Sequence, residues 1–142
     1  MTVYADTSFV ISLYVTDRHS AESRERIAAS PPIWFTPLHR AEAAHAIAQQ
    51  VFHGKLSDAE AQKLRRHLDR DRAAGLWLEV EMPENVFDIC ADLARRYGPR
   101  LGVRTLDSLH VACALQLKAQ YFWTFDERQN KLAKAVGLEA TT

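Results

Sequence analysis

The sequence has little of what marks secreted, low-complexity or membrane-spanning chains. Its two cysteines, Cys90 and Cys113, are too few for the disulfide framework of a small secreted domain. Five glycines and five prolines are too few for a collagen-like or disordered chain. No apolar run approaches the ~20 residues that a membrane-spanning helix needs, and Met1–Asp6 does not resemble a cleavable leader. We therefore expect a cytoplasmic protein, not attached to a membrane, with two buried thiols.

Charge of one sign is not in excess either. Eighteen Lys and Arg balance eighteen Asp and Glu, so the net charge is zero and gives no argument for nucleic acid as a partner. The charges are nevertheless unevenly distributed. Residues 63–72 carry five bases and two acids, 79–92 carry five acids and no base, and 95–104 carry four arginines and no acid. A neutral chain with such blocks can still present a local basic face.

Short apolar strands alternate with helices along the 142 residues. Strands are predicted at residues 2–5, 33–36, 76–80 and 121–124, with a last short strand after Gly137. Alternation of this kind predicts an α/β fold with a largely parallel sheet. Because no linker or internal repeat divides the chain, we expect a single domain over residues 1–142.

The ends of three helices are indicated by local sequence signals. Ser57-Asp58-Ala59-Glu60 has the S-x-x-E spacing of a capping box, which predicts a helix over 58–73. Gly98-Pro99 is expected to end the helix that begins at residue 84, and Thr105 is expected to cap the next one.

Four acidic residues fall where α/β folds place their functional sites. Asp6 directly follows the first strand, and Asp126 follows the fourth strand with one residue between. Glu42 lies one to two turns into the helix after the second strand, and Asp107 lies in the first turn of the helix that begins near Thr105. Because ligands bind outside the carboxyl ends of parallel strands, we expect these carboxylates to converge at one edge of the sheet.

Converging carboxylates repel one another, so a folded protein keeps them together only with a compensating cation. Oxygen ligands without matched His or Cys suit Mg²⁺ or Mn²⁺, and such a site can hold a water in line with a phosphorus. Each acid also has a structural alternative. Asp6, Asp107 and Asp126 could each stabilise a helix N-terminus, and Glu42 could simply face solvent.

The segments around the four acids resemble the motifs of PIN-domain nucleases. Tyr4-Ala5-Asp6-Thr7-Ser8 resembles the opening motif of that family, and Arg40-Ala41-Glu42-Ala43-Ala44 resembles its second acidic motif. Residues 104–112 (RTLDSLHVA) are similar to its most distinctive segment, and 124–129 (TFDERQ) resembles its closing motif. The four motifs occur in order and cover nearly the whole chain, whose size resembles the toxin of a VapBC-type toxin–antitoxin pair.

The resemblance implies a metal-dependent endoribonuclease with a three-layer α/β/α sandwich around a largely parallel central sheet. It implies that Asp6, Glu42, Asp107 and Asp126 are catalytic and bind Mg²⁺ or Mn²⁺. Asp6 and Asp107 are expected to hold the metal most directly, Glu42 to act through water or orient the nucleophile, and Asp126 to serve a second ion or a bound water. The family also dimerises and is silenced by a small antitoxin, so a homodimer and an antitoxin partner are expected.

Neighbouring residues are predicted to support these acids. Hydroxyl groups that could bond to the acids or to phosphate belong to Thr7, Ser8 and Thr124. His110 shares a helical face with Asp107 and is expected either to support the site or to pack in the core. Arg104 and Arg100 are the candidates for RNA phosphate, and Arg104 could instead pair with an acid of the cluster.

Other functions stay open at this stage. The basic segment 63–72 is expected to be a solvent-exposed helix face, with RNA docking as the alternative. The chain could also be a PIN nuclease that acts in RNA maturation rather than as a toxin, or a catalytically silent module that binds RNA or protein. An aspartate-nucleophile phosphatase is disfavoured, because it needs a second acid two residues after Asp6 and the chain has Ser8 there.

Overall fold

The fold alternates helices and short strands, as the sequence predicts. A computed structural model describes residues 2–16, 18–29 and 32–141. The elements in this part of the chain are β1 (Val3–Ala5), α1 (Thr7–Ile11), α2 (Ser20–Ala28), β2 (Ile33–Phe35), α3 (Pro37–Phe52), α4 (Asp58–Ala73), β3 (Trp77–Glu79), α5 (Val86–Leu101), α6 (Thr105–Gln116), β4 (Tyr121–Trp123), α7 (Glu127–Ala135) and β5 (Glu139–Thr141).

These elements form two compact units. The first unit contains the described residues up to Asp6 and from Met82 onward, and the second contains those from Thr7 to Glu81. The first motif of the sequence is therefore divided between the two units, directly after its aspartate. The expectation of a single domain over residues 1–142 stays a prediction.

A three-stranded parallel sheet forms the centre of the first unit. Its strand order is β1-β4-β5, with Tyr4 opposite Phe122 in the β1–β4 pair. Both side chains are fully buried, and their rings stack with centroids 5.6 Å apart. Helix α6 is buried from Ser108 to Ala114, on every side rather than along one stripe. Apolar residues on all faces are what a helix enclosed by other elements requires.

The second unit contains a two-stranded parallel sheet. β2 and β3 pair with Ile33 opposite Trp77, and the ladder is extended by the Val80 N–H, which donates to the Phe35 carbonyl over 3.1 Å. Helix α3 packs against α1 and α4 within this unit. The parallel pairing in both units confirms the predicted α/β class with parallel strands.

Two of the predicted helix ends are wrong. Helix α5 does not stop at Gly98-Pro99 but continues to Leu101 and ends at Gly102, whose φ of 64° is left-handed. A residue before proline avoids the helical conformation mainly because its Cβ meets the proline ring, and Gly98 has no Cβ. Thr105 is not the cap of α6 but its first residue, because Arg104 occupies the N-cap position. Asp107 is therefore the third residue of that helix. The capping box of Ser57 and Glu60 is confirmed.

The two thiols are buried and free, as predicted. Burial raises the pKa of the Cys113 thiol to about 11 and raises the pKa of Cys90 in the same direction. Both thiols therefore remain protonated at neutral pH, which makes them unreactive. Within the described residues, no helix combines the length and the apolar character that crossing a bilayer demands.

Candidate active site

Asp6 leaves strand β1 with its carboxylate buried. Its backbone N–H continues the ladder by donating to the Trp123 carbonyl over 3.0 Å. The side chain is only 5% exposed, and its Oδ2 accepts a hydrogen bond of 2.7 Å from the hydroxyl of Thr124. Thr124 follows β4, the strand that pairs with β1. The parallel pairing thus brings together the residues that follow the two strands, as the rule for parallel sheets predicts.

The Thr124 hydroxyl joins three parts of the first unit. It is fully buried, and its oxygen accepts the backbone N–H of Asp126 over 2.9 Å. It also lies 3.0 Å from Oε1 of Gln129. Because the hydroxyl has one proton, the shorter and charge-assisted bond to Asp6 takes precedence. The hydroxyl therefore fixes both the buried carboxylate and the turn that leads to α7.

Asp126 caps helix α7. Its Oδ1 accepts the backbone N–H of Gln129 over 2.8 Å. Helix capping, which the sequence left open as the structural alternative to metal binding by this acid, is therefore present in the structure. Capping uses one of the two carboxylate oxygens, and the side chain is half-buried.

Gln129 is a site residue to which sequence reasoning assigned no role. It is 1% exposed, and its Nε2 donates to the backbone carbonyl of Asp107 over 3.1 Å. Its amide therefore joins Thr124 to the first turn of α6. The available signal was its position in the closing motif, three residues after a capping aspartate. At that position a glutamine is ordinarily solvent-exposed, so the pattern alone did not reveal its burial.

Asp107 carries a buried oxygen without a hydrogen bond. Its side chain is 18% exposed, and Oδ2 has no hydrogen-bond partner among the residues described. The Nε of Arg104 lies 3.5 Å away, on a side chain that is 75% exposed. An ion pair so exposed to solvent contributes little to stability, whereas a buried acceptor without a hydrogen bond lowers stability by ~1–3 kcal/mol. This oxygen therefore has the environment of a ligand for a cation.

Glu42 belongs to the second unit. It lies half-buried on α3, and its Oε1 accepts a hydrogen bond of 2.7 Å from the Thr7 hydroxyl. Thr7 is the first residue of α1 and is 6% exposed. Ser8, the other predicted hydroxyl of this motif, is exposed.

The donor set of the first unit suits a hard divalent cation. Among the described residues, no three His, Cys, Asp or Glu side chains form a group that could hold a metal ion. Mg²⁺, however, keeps several waters and is commonly held by one or two carboxylates together with substrate phosphates. Asp6 and Asp107 fit that requirement, because one is buried and oriented by Thr124 and the other has an unsatisfied buried oxygen.

Comparison with known proteins shows the family of the chain. The family model of the PIN domain matches residues 3–135. The chain belongs to the PIN domain family. The resemblance that the four motifs carry is thereby confirmed. No curated protein sequence matches this PIN domain.

Solved structures similar to this PIN domain include several from toxin–antitoxin systems. FitAcB from Neisseria gonorrhoeae matches with a TM-score of 0.75 and 16% identity, over 99% of this chain and 97% of that chain. VapC20 from Mycobacterium tuberculosis, described as a sarcin-ricin loop cleaving toxin, matches with a TM-score of 0.72 and 15% identity, over 96% of each chain. VapBC2 from Rickettsia felis, bound to a promoter DNA fragment, matches with a TM-score of 0.69 and 14% identity, over 100% of each chain. At such identities the likeness shows the fold alone, and it confirms the predicted PIN-type α/β/α fold.

His110 of this PIN domain packs in the core of the first unit. It is 3% exposed, and its Nδ1 lies 2.7 Å from the hydroxyl of Tyr4. The two rings meet edge to face. This contact ties α6 to β1, so the histidine fixes the helix that carries Asp107 relative to the strand that Asp6 directly follows.

The two predicted phosphate ligands differ in their surroundings. The Arg100 guanidinium lies over the ring of Tyr97, 5.6 Å from its centroid. Arg104 lines an open groove of the first unit together with Asp126 and Lys131. A cation beside the acids is what an approaching phosphate needs, so the groove favours Arg104 over Arg100 as a phosphate ligand.

Proposed function

We propose that this PIN domain is a Mg²⁺- or Mn²⁺-dependent endoribonuclease that hydrolyses RNA phosphodiester bonds, and that it is the toxin of a toxin–antitoxin pair. The observation that carries the proposal is the unsatisfied buried oxygen of Asp107. Gln129 donates to the backbone carbonyl of that residue and lies against Thr124, whose hydroxyl donates to the buried carboxylate of Asp6. Two aspartates held in this way are a costly arrangement without a cation.

The residues of the first unit have distinct roles in this proposal. Asp6 and Asp107 would hold the metal, which when bound supplies a Lewis acid and an activated water. Thr124 keeps the Asp6 carboxylate in one orientation, since its hydroxyl is itself fixed by the Asp126 N–H. Arg104 would donate to the RNA phosphate through its exposed guanidinium. The assignments of Glu42 and Asp126 to metal binding stay predictions from their motifs.

The biological role is supported by the similar structures. One is described as a toxin that cleaves the sarcin-ricin loop, and another is a toxin–antitoxin complex from Klebsiella pneumoniae. By this likeness we infer an RNA substrate and a small antitoxin partner, while a homodimeric state and action in the cytoplasm stay predictions from the sequence. A neighbouring small reading frame that encodes a DNA-binding antitoxin would distinguish this role from RNA maturation.

The direct test replaces the two proposed metal ligands. Asp6→Asn and Asp107→Asn should each lower the rate of RNA cleavage with Mg²⁺ or Mn²⁺ at least about a hundredfold, the loss expected when a group that stabilises transition-state charge is removed. Calorimetric titration with Mn²⁺ should show the same loss of binding. The matched control is Asp88→Asn, which removes another first-turn acid, that of α5, from an exposed position.

Two outcomes would contradict the proposal. Cleavage by both asparagine variants at the wild-type rate would show that these aspartates are not catalytic. Wild-type protein that binds RNA but neither binds Mn²⁺ nor cleaves would instead identify a catalytically silent binding module. Circular dichroism of each variant checks that the fold survives, which we expect because each replacement removes a buried negative charge.

A further inference from the structure

The basic segment 63–72 lies on helix α4 of the second unit and has no part in the proposed catalytic site. The helix divides into two faces. Ala61, Leu64 and Leu68, spaced at i, i+3 and i+7, form its inner face, where Ala61 and Leu68 are buried and Leu64 is half-buried. Lys63, Arg66 and Arg70 have the same spacing and are all exposed. The segment is thus an amphipathic helix with a row of cations on its solvent side.

The acids around this row are engaged elsewhere. Glu60 accepts the backbone N–H of Ser57 over 3.0 Å in the capping box. Asp71 accepts the hydroxyl of Tyr14 over 2.7 Å, and the carboxylate of Asp69 lies 3.5 Å from Arg72. In the part of the chain that the structure describes, no ion pair neutralises the three cations of the row.

Arg72, on the same helix, is a base whose charge has a structural role, in contrast to the three residues of the row. Its guanidinium lies 5.0 Å from the ring centroid of Phe35, and its Nε donates to Glu79 over 2.6 Å. It therefore holds α4 against the two-stranded sheet. None of the three residues in the row has a comparable contact among the described residues, so the fold of the second unit does not account for their charge.

We propose that Lys63, Arg66 and Arg70 form a docking surface for the phosphate backbone of RNA. This inference rests on the proposed function, because it assumes that RNA is the substrate. The row extends about 10 Å along the helix at 1.5 Å per residue, which is long enough to face more than one phosphate. Phosphate contacts of this kind position nucleic acid without reading its sequence.

A groove of the second unit adjoins one end of the row. Two ammonium groups, those of Lys63 and Lys55, line it together with His67 and the carboxylate of Glu60. The groove adds a second ammonium group beside Lys63. Charge complementarity therefore favours a polyanion over an uncharged partner on this side of the unit.

The test is a triple variant, Lys63→Gln with Arg66→Gln and Arg70→Gln. Binding of a short fluorescein-labelled single-stranded RNA is measured by anisotropy in EDTA over a range of salt concentrations. Three lost phosphate contacts should reduce the slope of log K against log salt by about 2, and the affinity at ~0.1 M salt by about a hundredfold. In cleavage assays with metal, KM should rise by a similar factor while kcat is retained, as expected for lost binding that is equal in the ground and transition states.

The matched control removes the same charge from three separate helices or turns. Arg24, Lys118 and Lys134 are exposed, and their triple glutamine variant should bind RNA much as the wild-type protein does. An equal loss in both variants would show a bulk charge effect and overturn the docking surface. A row variant that binds RNA normally but no longer binds an antitoxin would assign the row to a protein partner and would also overturn it.

Failure of the docking surface can be distinguished from failure of the proposed function. If wild-type protein does not cleave RNA with either metal, the nuclease proposal fails, and the anisotropy measurement still decides whether the row binds RNA. If wild-type protein cleaves and the row variant has unchanged affinity, salt slope and KM, only the docking surface is wrong.

Discussion

At the scale of single residues, the Thr124 hydroxyl connects two polar groups of the first unit that lie on different segments of the chain. It donates to the Asp6 carboxylate and accepts the N–H of Asp126, and it does both while fully buried. Both partners would lose a hydrogen bond together if the hydroxyl were removed. A valine has nearly the same shape but can make neither bond.

Thr124→Val should therefore lower the free energy of unfolding by about 1–3 kcal/mol, the cost of leaving buried polar groups without partners. Urea unfolding followed by circular dichroism measures this change. Thr124→Ser keeps the hydroxyl and should lose less than half as much. A valine variant as stable as wild-type protein, beside a destabilised serine variant, would show that packing of the methyl group, rather than hydrogen bonding, makes the side chain important.

Prediction from sequence succeeded for residues placed by local pattern and failed for residues placed by packing. Asp6 and Asp107 stand beside a strand end and a helix start, which periodicity and turn signals locate. Gln129 is buried on α7 with its amide donating to the backbone of α6, 22 residues earlier, and no local pattern encodes that contact. The sequence offered the Thr7 and Ser8 hydroxyls to the acids without assigning either, and only the structure shows that Thr7 donates to Glu42.

At the scale of elements, the ends of helices show the same limit. Ser57 and Glu60 satisfy each other's backbone within four residues, so the capping box can be read directly from the sequence. The end of α5 depends instead on which glycine takes the left-handed conformation that ends a helix. Gly98 keeps the helical conformation before Pro99, and Gly102 is the residue with the left-handed conformation. The predicted end at Gly98-Pro99 was wrong, because the sequence pattern does not show that Gly102, four residues later, takes the left-handed conformation.

Gly102→Ala should test this boundary. A Cβ at Gly102 meets no atom within 4 Å, so the cost arises from the backbone conformation alone. We expect the free energy of unfolding in urea to fall by about 1–2 kcal/mol, the cost of a left-handed conformation for a residue with a Cβ. Gly102→Asn should cost less, since asparagine tolerates this conformation better than alanine. Alanine and asparagine variants of equal stability would argue that the chain does not end α5 in a left-handed turn.

At the scale of the whole molecule, a net charge of zero conceals strong local fields of opposite sign. The first unit contains Asp6 and Asp107, and bases without an ion pair among the described residues form the row on α4 of the second unit. The composition could show neither feature, because both depend on which charges are already paired. Arg72 illustrates the point, since its position in the basic segment gave no sign that Glu79 and Phe35 engage it.

A cation that binds only the folded chain must raise the stability of the whole molecule. With the metal at about ten times its dissociation constant, linkage predicts a gain of about 1.4 kcal/mol. For a chain of 142 residues, that gain raises the Tm by about 5 °C. Protein stripped with EDTA and then supplied with Mg²⁺ or Mn²⁺ should show this shift in differential scanning calorimetry. NaCl of matched ionic strength should not reproduce it, because screening alone affects the exposed ion pairs of this chain only weakly.

The same measurement on variants locates the cation. Asp107→Asn should lose most of the metal-dependent shift, and it should unfold no earlier than wild-type protein in EDTA, because the replacement removes a largely buried charge whose one ion pair, with the exposed Arg104, contributes little. Asp88→Asn should retain the full shift. A shift of equal size in Asp107→Asn would place the cation elsewhere in the molecule, and the unsatisfied oxygen of Asp107 would then need a different partner, for which the nearby Arg104 is the first candidate.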